Sequence, residues 1–410
     1  MDSSRYNLFF KVDNRYLLLN LFSRSKLFVD DELKDILEKS NFDKATEDIL
    51  NQLFQCGVVV NSKESELTKF SDMYQKRVNL PFEYEFTIIP TYDCNVSCYY
   101  CNHSRETITP IVIQKFKKFF AKELANTECE NVAVRIGGGE PLLYPELVCS
   151  LLEDLSHITN DCGKRFFSGL STTGTLLTHD ILEGLPFLNA VQVTFEGSRS
   201  YHDTVRHDHN KTFDRIIKSA QLVLDAGILL NVRVHVSERN ITGQEELFGE
   251  LYSSGLLGPK TMITVAPVVP TRICPFYPSK CTEDNTSDLI LKTWEIAQKC
   301  GITLSGLPNP VYEMLPCPYV TPTSLIVTPD GTFYKCLMAA GEETLQAGSI
   351  EKGIETHKVS PWLTECESCS YLVLCGGYCV WRKHVQKRTC NTRSLLEERV
   401  KIHVKNTYLK

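Results

Sequence analysis

The sequence predicts an α/β chain centred on an open barrel of six strand–helix repeats, with a small α+β unit before it and a cysteine-rich segment after it. Three observations carry this. From Tyr84 onward, apolar runs of strand length alternate with helical stretches. Before residue 80 the order is different, with paired strands followed by helices. After residue 306 the long helices stop, and cysteines, glycines and short strands take over.

A chain of 410 residues exceeds one ordinary core and suits two or three domains. The expected divisions are 1–75, 80–306 and 307–410. A net charge of −6 implies no broad basic surface, so nucleic acid is not an expected partner. "MDSSRYNLFF" has no signal-peptide pattern, and "YLLLNLF" is too short to span a bilayer. A cytoplasmic protein without a membrane partner is expected. In a reducing compartment, seventeen cysteines point to metal ligation rather than disulfides.

The elements follow in order. "YNLFFKV" and "YLLLNLF" form two strands around the turn "DNR". "DDELKDILEK" and "KATEDILNQLFQCG" are amphipathic helices with acidic starts, and "VVV" after Gly57 is a closing strand. "NSKESELTKFSDMYQKR" reads as a linker or exposed helix. The six central strands are "YEFTII", "NVAVRI", "RFFSGL", "AVQVTF", "LLNVRVHV" and "MITVAPVV". Thr109, Thr212 and Ser287 are placed to cap intervening helices, with Pro110 at a first helical position and Gly227 and Gly301 beyond two helix ends. Six βα units imply a parallel sheet of partial (β/α)6 TIM type, open where eight would close it. "SLIVTPDGTFYKC" is a hairpin, and "RSLLEERVKIHVK" a final helix.

Cys94, Cys98 and Cys101 follow the first central strand, at the strand end where βα barrels carry their chemistry. A structural zinc site wants four ligands. Three thiolates on a [4Fe–4S] cluster leave one iron open. This CxxxCxxC loop, with Tyr100 before its last cysteine, resembles that of the radical S-adenosylmethionine superfamily. The resemblance implies that the open iron binds S-adenosylmethionine and that a 5′-deoxyadenosyl radical abstracts a hydrogen atom from the substrate. Gly138, Gly139, Glu140 and Pro141 are similar to the family's GGEP motif, implied to hold the cofactor's amino group. "LSTTGTLL" resembles "TNGTLL", making Ser171 and Thr173 candidates for the ribose hydroxyls. "VTFEGSRSYHDTVR" resembles "SLDG…HD…R". Thr194 stands where serine is usual and Glu196 where aspartate is usual, and Arg206 takes the position of an arginine that meets the cofactor carboxylate. His202 takes the family's histidine position, with His207 and His209 as loop residues.

Seven late cysteines resemble the SPASM pattern of peptide-modifying radical enzymes. The resemblance implies one auxiliary cluster on Cys366, Cys369, Cys375 and Cys390. It implies a second on Cys317, Cys336 and Cys379, making three [4Fe–4S] clusters in all. Relatives with an eighth cysteine carry it where Val311 stands, so the second is open unless Cys274, Cys281 or Cys300 completes it. A zinc knuckle is the alternative. The first unit resembles the PqqD-like domain that captures precursor-peptide leaders by strand addition. Together these imply a maturase that crosslinks a ribosomally made precursor peptide through a C–C or thioether bond, with a flavodoxin- or ferredoxin-type electron donor. The alternatives are an anaerobic sulfatase maturase and a non-catalytic iron–sulfur or zinc scaffold.

Overall fold

The computed structural model describes residues 1–79, 82–101, 104–208, 210–268, 286–302, 317–355, 362, 364–377, 379–385, 390 and 393–408. Contacts divide the chain into two compact units. One comprises residues 81–306 and 323–358, the other residues 1–80, 307–322 and 359–410. This division cuts across the three segments expected from the sequence.

The first unit is built on a ten-stranded sheet. Six strands run in chain order: β1 (Glu83–Ile88), β2 (Asn131–Ile136), β3 (Arg165–Ser171), β4 (Ala190–Phe195), β5 (Leu229–Val236) and β6 (Thr261–Pro267). Each pairs in parallel with the next. They coincide with the six apolar runs. Helices α1 (Pro110–Asn126), α2 (Pro145–Asp161), α3 (Thr212–Asp225) and α4 (Gln244–Ser253) lie between strands, as right-handed crossovers require. Alternation sorts the two faces. On β5, Leu230, Val232, Val234 and Val236 are almost fully buried, whereas Asn231, Arg233 and His235 are half-buried on the opposite, inner face. Phe86 of β1 sits against Phe116 and Phe120 of α1, with ring centroids 6.1 and 4.8 Å away. Each such buried side chain contributes about 1.5–3 kcal/mol.

The expected hairpin forms, but it extends this sheet. β7 (Ser324–Val327) runs parallel to β1, pairing Ser324 with Glu85 and Val327 with Ile88. β8 (Thr332–Tyr334), β9 (Gln346–Ser349) and β10 (Gly353–Ile354) then add antiparallel strands. Asp330 Oδ1 accepts from the Thr332 amide at 3.0 Å and the Thr328 hydroxyl at 2.6 Å, fixing the turn. Thr109 caps α1 as expected, accepting from Val112 N at 3.3 Å. Thr212 does not cap α3. It lies inside the helix, and Asp203 Oδ1 takes the Phe213 amide at 2.8 Å instead. Ser287 likewise lies within the first turn of its helix, Thr286–Lys299.

In the second unit, strands Asn7–Val12, Arg15–Asn20 and Lys26–Val29 form an antiparallel sheet. The third of these was not evident in the sequence. The middle strand is buried on both faces. Leu18 packs with Leu37, Leu53 and Val59, on and beside helices Asp31–Lys39 and Glu47–Gln55. Leu17 and Leu19 enter a second core with Phe70 and Tyr74 of helix Lys63–Asn79. That core also contains Tyr371, Leu372, Val400 and Val404. The 63–79 segment is therefore a helix with a buried face, not a linker or an exposed helix. The late cysteine region shares this core with the first eighty residues.

Candidate active site

The loop carrying Cys94, Cys98 and Cys101 is shaped by the turn that follows β2. Gly137 N donates to Ile88 O at 3.1 Å, Gly139 N to Thr91 O at 2.9 Å, and Glu140 N to Asp93 O at 2.7 Å. Two backbones in such close contact leave no room for side chains. A Cβ on Gly139 would lie 2.1 Å from Asp93 O. Gly138 adopts φ +126°, which an L side chain rarely does, and its Cβ would lie 2.5 Å from Ile89 Cγ2. The double glycine is thus explained by the path of the cysteine loop.

Glu140 is fully buried. Its carboxylate accepts from Leu142 N at 2.8 Å, the Thr172 hydroxyl at 2.9 Å and Thr173 N at 2.5 Å. Burial raises its pKa, and these bonds oppose the rise. Thr172 reaches both carboxylate oxygens, so each oxygen already takes two internal contacts. Thr173 is also internally engaged. Its hydroxyl donates to Asn95 Oδ1 at 3.2 Å, and Asn95 Nδ2 donates to Thr175 Oγ1 at 2.7 Å. The end of β3 therefore tethers the cysteine loop. Ser171 is half-buried and accepts from Gln192 Nε2 at 3.3 Å.

The other side of the loop is held through Glu196. Its Oε1 accepts from the Tyr100 hydroxyl at 2.5 Å and Arg206 Nε at 2.9 Å, and it meets His235 Nδ1 at 3.0 Å. Burial disfavours the charged carboxylate, but the Arg206 charge and the hydrogen bonds from His235 and Tyr100 outweigh it and hold the group well below the usual range. Burial pushes the Tyr100 phenol up and keeps His235 neutral. Arg206, expected to be open to the cofactor, is mostly buried against Glu196, and its backbone pairs with Cys98. His202 is fully buried. Its Nδ1 accepts the Glu196 amide at 3.2 Å, and burial, aided by Arg206, brings its pKa down to about 3. His207 is exposed, and His209 lies outside the described residues.

Cys98 and Tyr100 sit in an apolar cluster with Val96, Val205 and Val268, and Cys94 and Cys101 border it. A hydrogen bond with Cys101 lowers the Cys98 pKa, while burial pushes Cys94 up to about 11. Among the described residues, only His179, Asp180 and Glu183 bring three candidate ligand atoms within 4.8 Å of one another, and all three are exposed. Tetrahedral zinc places thiolate sulfurs about 3.8 Å apart, so the loop is not gathered for one zinc ion. Three thiols with no close fourth ligand among the described residues fit a larger cluster with an open position.

In the second unit, burial pushes Cys375 up to about 12, and the nearby Cys390, Cys366 and Cys369 add to the rise. Burial also raises Cys317, with Cys379 contributing. Cys336 belongs to the other unit. Cys300 is half-buried, whereas Cys274, Cys281 and Val311 lie outside the described residues.

Sequence reading missed Asn95, Thr172, Thr175, Arg233 and His235. The signal for two of these was present. In "LLNVRVHV", polar residues occupy alternate positions, marking one wet face of a strand otherwise apolar.

Residues 88–241 match the Radical SAM superfamily. The fold is similar to that of native anSMEcpe with bound AdoMet and Cp18Cys peptide, at 16% identity and TM-score 0.60, covering 80% of this chain and 98% of that one. It is also similar to Streptococcus suis SuiB, at 15% identity and TM-score 0.54, covering 92% and 95%. SuiB bound to precursor peptide SuiA gives 16% identity and TM-score 0.53, covering 92% and 95%. At these identities the likeness is one of fold. No curated protein matches. Among the described residues, no helix is long and apolar enough to cross a membrane. The matched residues include the three-cysteine loop at the end of β1 and the glycine turn after β2.

Proposed function

We propose that this chain is a maturase that modifies a ribosomally made precursor peptide, forming a C–C or thioether crosslink. The observation that carries this reading is the three-thiol loop at the end of β1, set in an apolar cluster, with no close fourth ligand among the described residues. Cys94, Cys98 and Cys101 would hold the cluster. Thr194 and the backbone of the Gly138–Pro141 turn would face S-adenosylmethionine. Bound there, the cofactor supplies hydrogen-atom abstraction.

The chain's own residues hold the loop in place. Asn95 pins it to the end of β3, and Glu196 pins Tyr100 beside Arg206. The valines around Cys98 keep water from the thiols. Cys366, Cys369, Cys375 and Cys390 form the first auxiliary ligand set in this reading, supported by their mutual influence on Cys375. Cys317, Cys336 and Cys379 form the second, in a SPASM-type segment. The first eighty residues act as a PqqD-like leader-binding unit. Supporting this, strands Asn7–Val12 and Lys26–Val29 are both edges of their sheet among the described residues, and Phe28 on the latter is 51% exposed.

A second reading, oxidation of a cysteine or serine to formylglycine, draws support from the higher TM-score to anSMEcpe. The SuiB fold, solved with a bound precursor peptide, covers more of this chain and supports a precursor peptide as the substrate. The test is anaerobic reconstitution with iron and sulfide, followed by dithionite and S-adenosylmethionine. About twelve irons per chain and formation of 5′-deoxyadenosine, lost in Cys98→Ala, are expected. Zinc uptake with no 5′-deoxyadenosine would sink the proposal. Mass loss in a precursor peptide separates crosslinking from formylglycine formation in a sulfatase peptide.

A further inference from the structure

Among the described residues, the arginines on the inner face have an acidic partner, with one exception. Glu85 and Arg135 form an ion pair at 2.6 Å. Glu196 and Arg206 form another at 2.9 Å. His235 is kept neutral by burial, and its Nδ1 is already turned to Glu196. Tyr100 keeps its proton, because burial raises its pKa well above the usual value. Arg233 remains. It is half-buried on β5, close enough to Arg206 and Glu196 to feel both charges, and it has no hydrogen bond or ion pair. Burial of an unpaired cation is costly, and an arginine cannot escape the cost by losing its proton. Its free guanidinium fork matches a carboxylate.

A second donor stands beside it. Thr194 on β4 is the register partner of Arg233, so both side chains project from the same face. Thr194 is buried, and its hydroxyl has no hydrogen bond among the described residues. The contrast with Arg206 is instructive. Glutamate at 196 is one methylene longer than aspartate, and its carboxylate is bonded to the Arg206 Nε. The arginine at the family's carboxylate-binding position is thereby neutralised internally, and the uncompensated positive charge is moved one strand along.

We infer that Arg233, with the Thr194 hydroxyl, forms the carboxylate-binding subsite of the inner face. The inference rests on the radical SAM reading of this site. The carboxylate belongs either to the methionyl end of S-adenosylmethionine or to an acidic group on the substrate.

The test uses the anaerobically reconstituted full chain, its Arg233→Met and Arg233→Lys variants, and iron content as the control for intact sites. Equilibrium dialysis compares S-adenosylmethionine with its decarboxylated analogue. If the cofactor supplies the carboxylate, Arg233→Met weakens S-adenosylmethionine by about tenfold or more, leaves the decarboxylated analogue within about twofold, and Arg233→Lys recovers part of the loss. A second arm, with S-adenosylmethionine saturating, titrates N-acetylglutamate amide against N-acetylglutamine amide. If the substrate supplies the carboxylate, cofactor binding is unchanged. The native chain then prefers the glutamate probe by about fivefold or more, and Arg233→Met abolishes that preference. Loss of carboxylate preference in neither arm overturns the inference. A native chain that binds no S-adenosylmethionine sinks the underlying reading, and the glutamate arm alone then decides Arg233.

Discussion

The two sets of cysteines are held in opposite ways. Cys94, Cys98 and Cys101 sit on a loop fixed by protein alone. A glycine turn runs along its backbone, Asn95 ties it to β3, and Cys98 pairs with Arg206. The later set has less support. Cys366 and Cys369 lie on or beside a short 3-10 turn, Cys375 ends a four-residue helix, and Cys379 and Cys390 are exposed. The comparison teaches that one site is preorganised before any metal arrives. The other has little regular structure of its own, and the auxiliary clusters proposed there would supply much of its shape.

Removing metal is the sharpest way to break that comparison. Structural metal centres contribute on the order of 10 kcal/mol to the folding of small domains. Chelation is therefore expected to open the segment around 364–390 to limited proteolysis, while fragments spanning 83–267 stay protected. Equal cleavage in both regions would show that the barrel loop, too, depends on its metal.

A smaller effect is expected from Gly139→Ala. The new methyl group meets the Asp93 carbonyl, a backbone atom that cannot swing aside. Overpacking of this kind costs about 1–3 kcal/mol. Because the displaced segment leads directly into Cys94, about four irons per chain are expected to be lost with the later set retained, as read by iron analysis. Full iron loading would mean that the loop tolerates a shifted turn.

The mildest test is pH. His202 is neutral when folded, with its pKa depressed, and it gains a proton when unfolded. Its stabilisation is complete above its unfolded pKa and is lost as pH falls from about 6.5 toward about 3, at up to about 1.4 kcal/mol per pH unit. Urea denaturation of the metal-free chain between pH 7.5 and about 5.5 should show this slope, and His202→Asn should flatten it. An unchanged slope would place the acid sensitivity elsewhere.

Sequence was most informative where structure is local. All six central strands are apolar runs bounded by turn residues, and each formed where expected. The double glycine and the three cysteines were legible as motifs, although the reason for the glycines, contact with Asp93 and Ile89, was not. Long-range pairing left no such trace. Nothing in "SLIV" says that it will lie beside "EFTI". Helix 63–79 hid its buried face because Glu66, Phe70, Tyr74 and Val78 are separated by polar residues and one of the four is charged. Thr212 looked like a cap because the competing Asp203 is nine residues away in sequence. Glu140 looked available to a ligand because Thr172 and Thr173 reach it from another strand.

The pairing of β7 with β1 also carries a consequence in time. The first six strands add in chain order, so each finds its neighbour soon after leaving the ribosome. β1 has a second edge, and that edge waits for Ser324–Val327. At about 5–20 residues per second, the interval is on the order of tens of seconds. Throughout it, the strand that leads into Cys94 keeps an open row of amides and carbonyls, the kind of edge on which other nascent chains can dock. Slower synthesis across the middle of the message is therefore expected to lower the yield of folded chain.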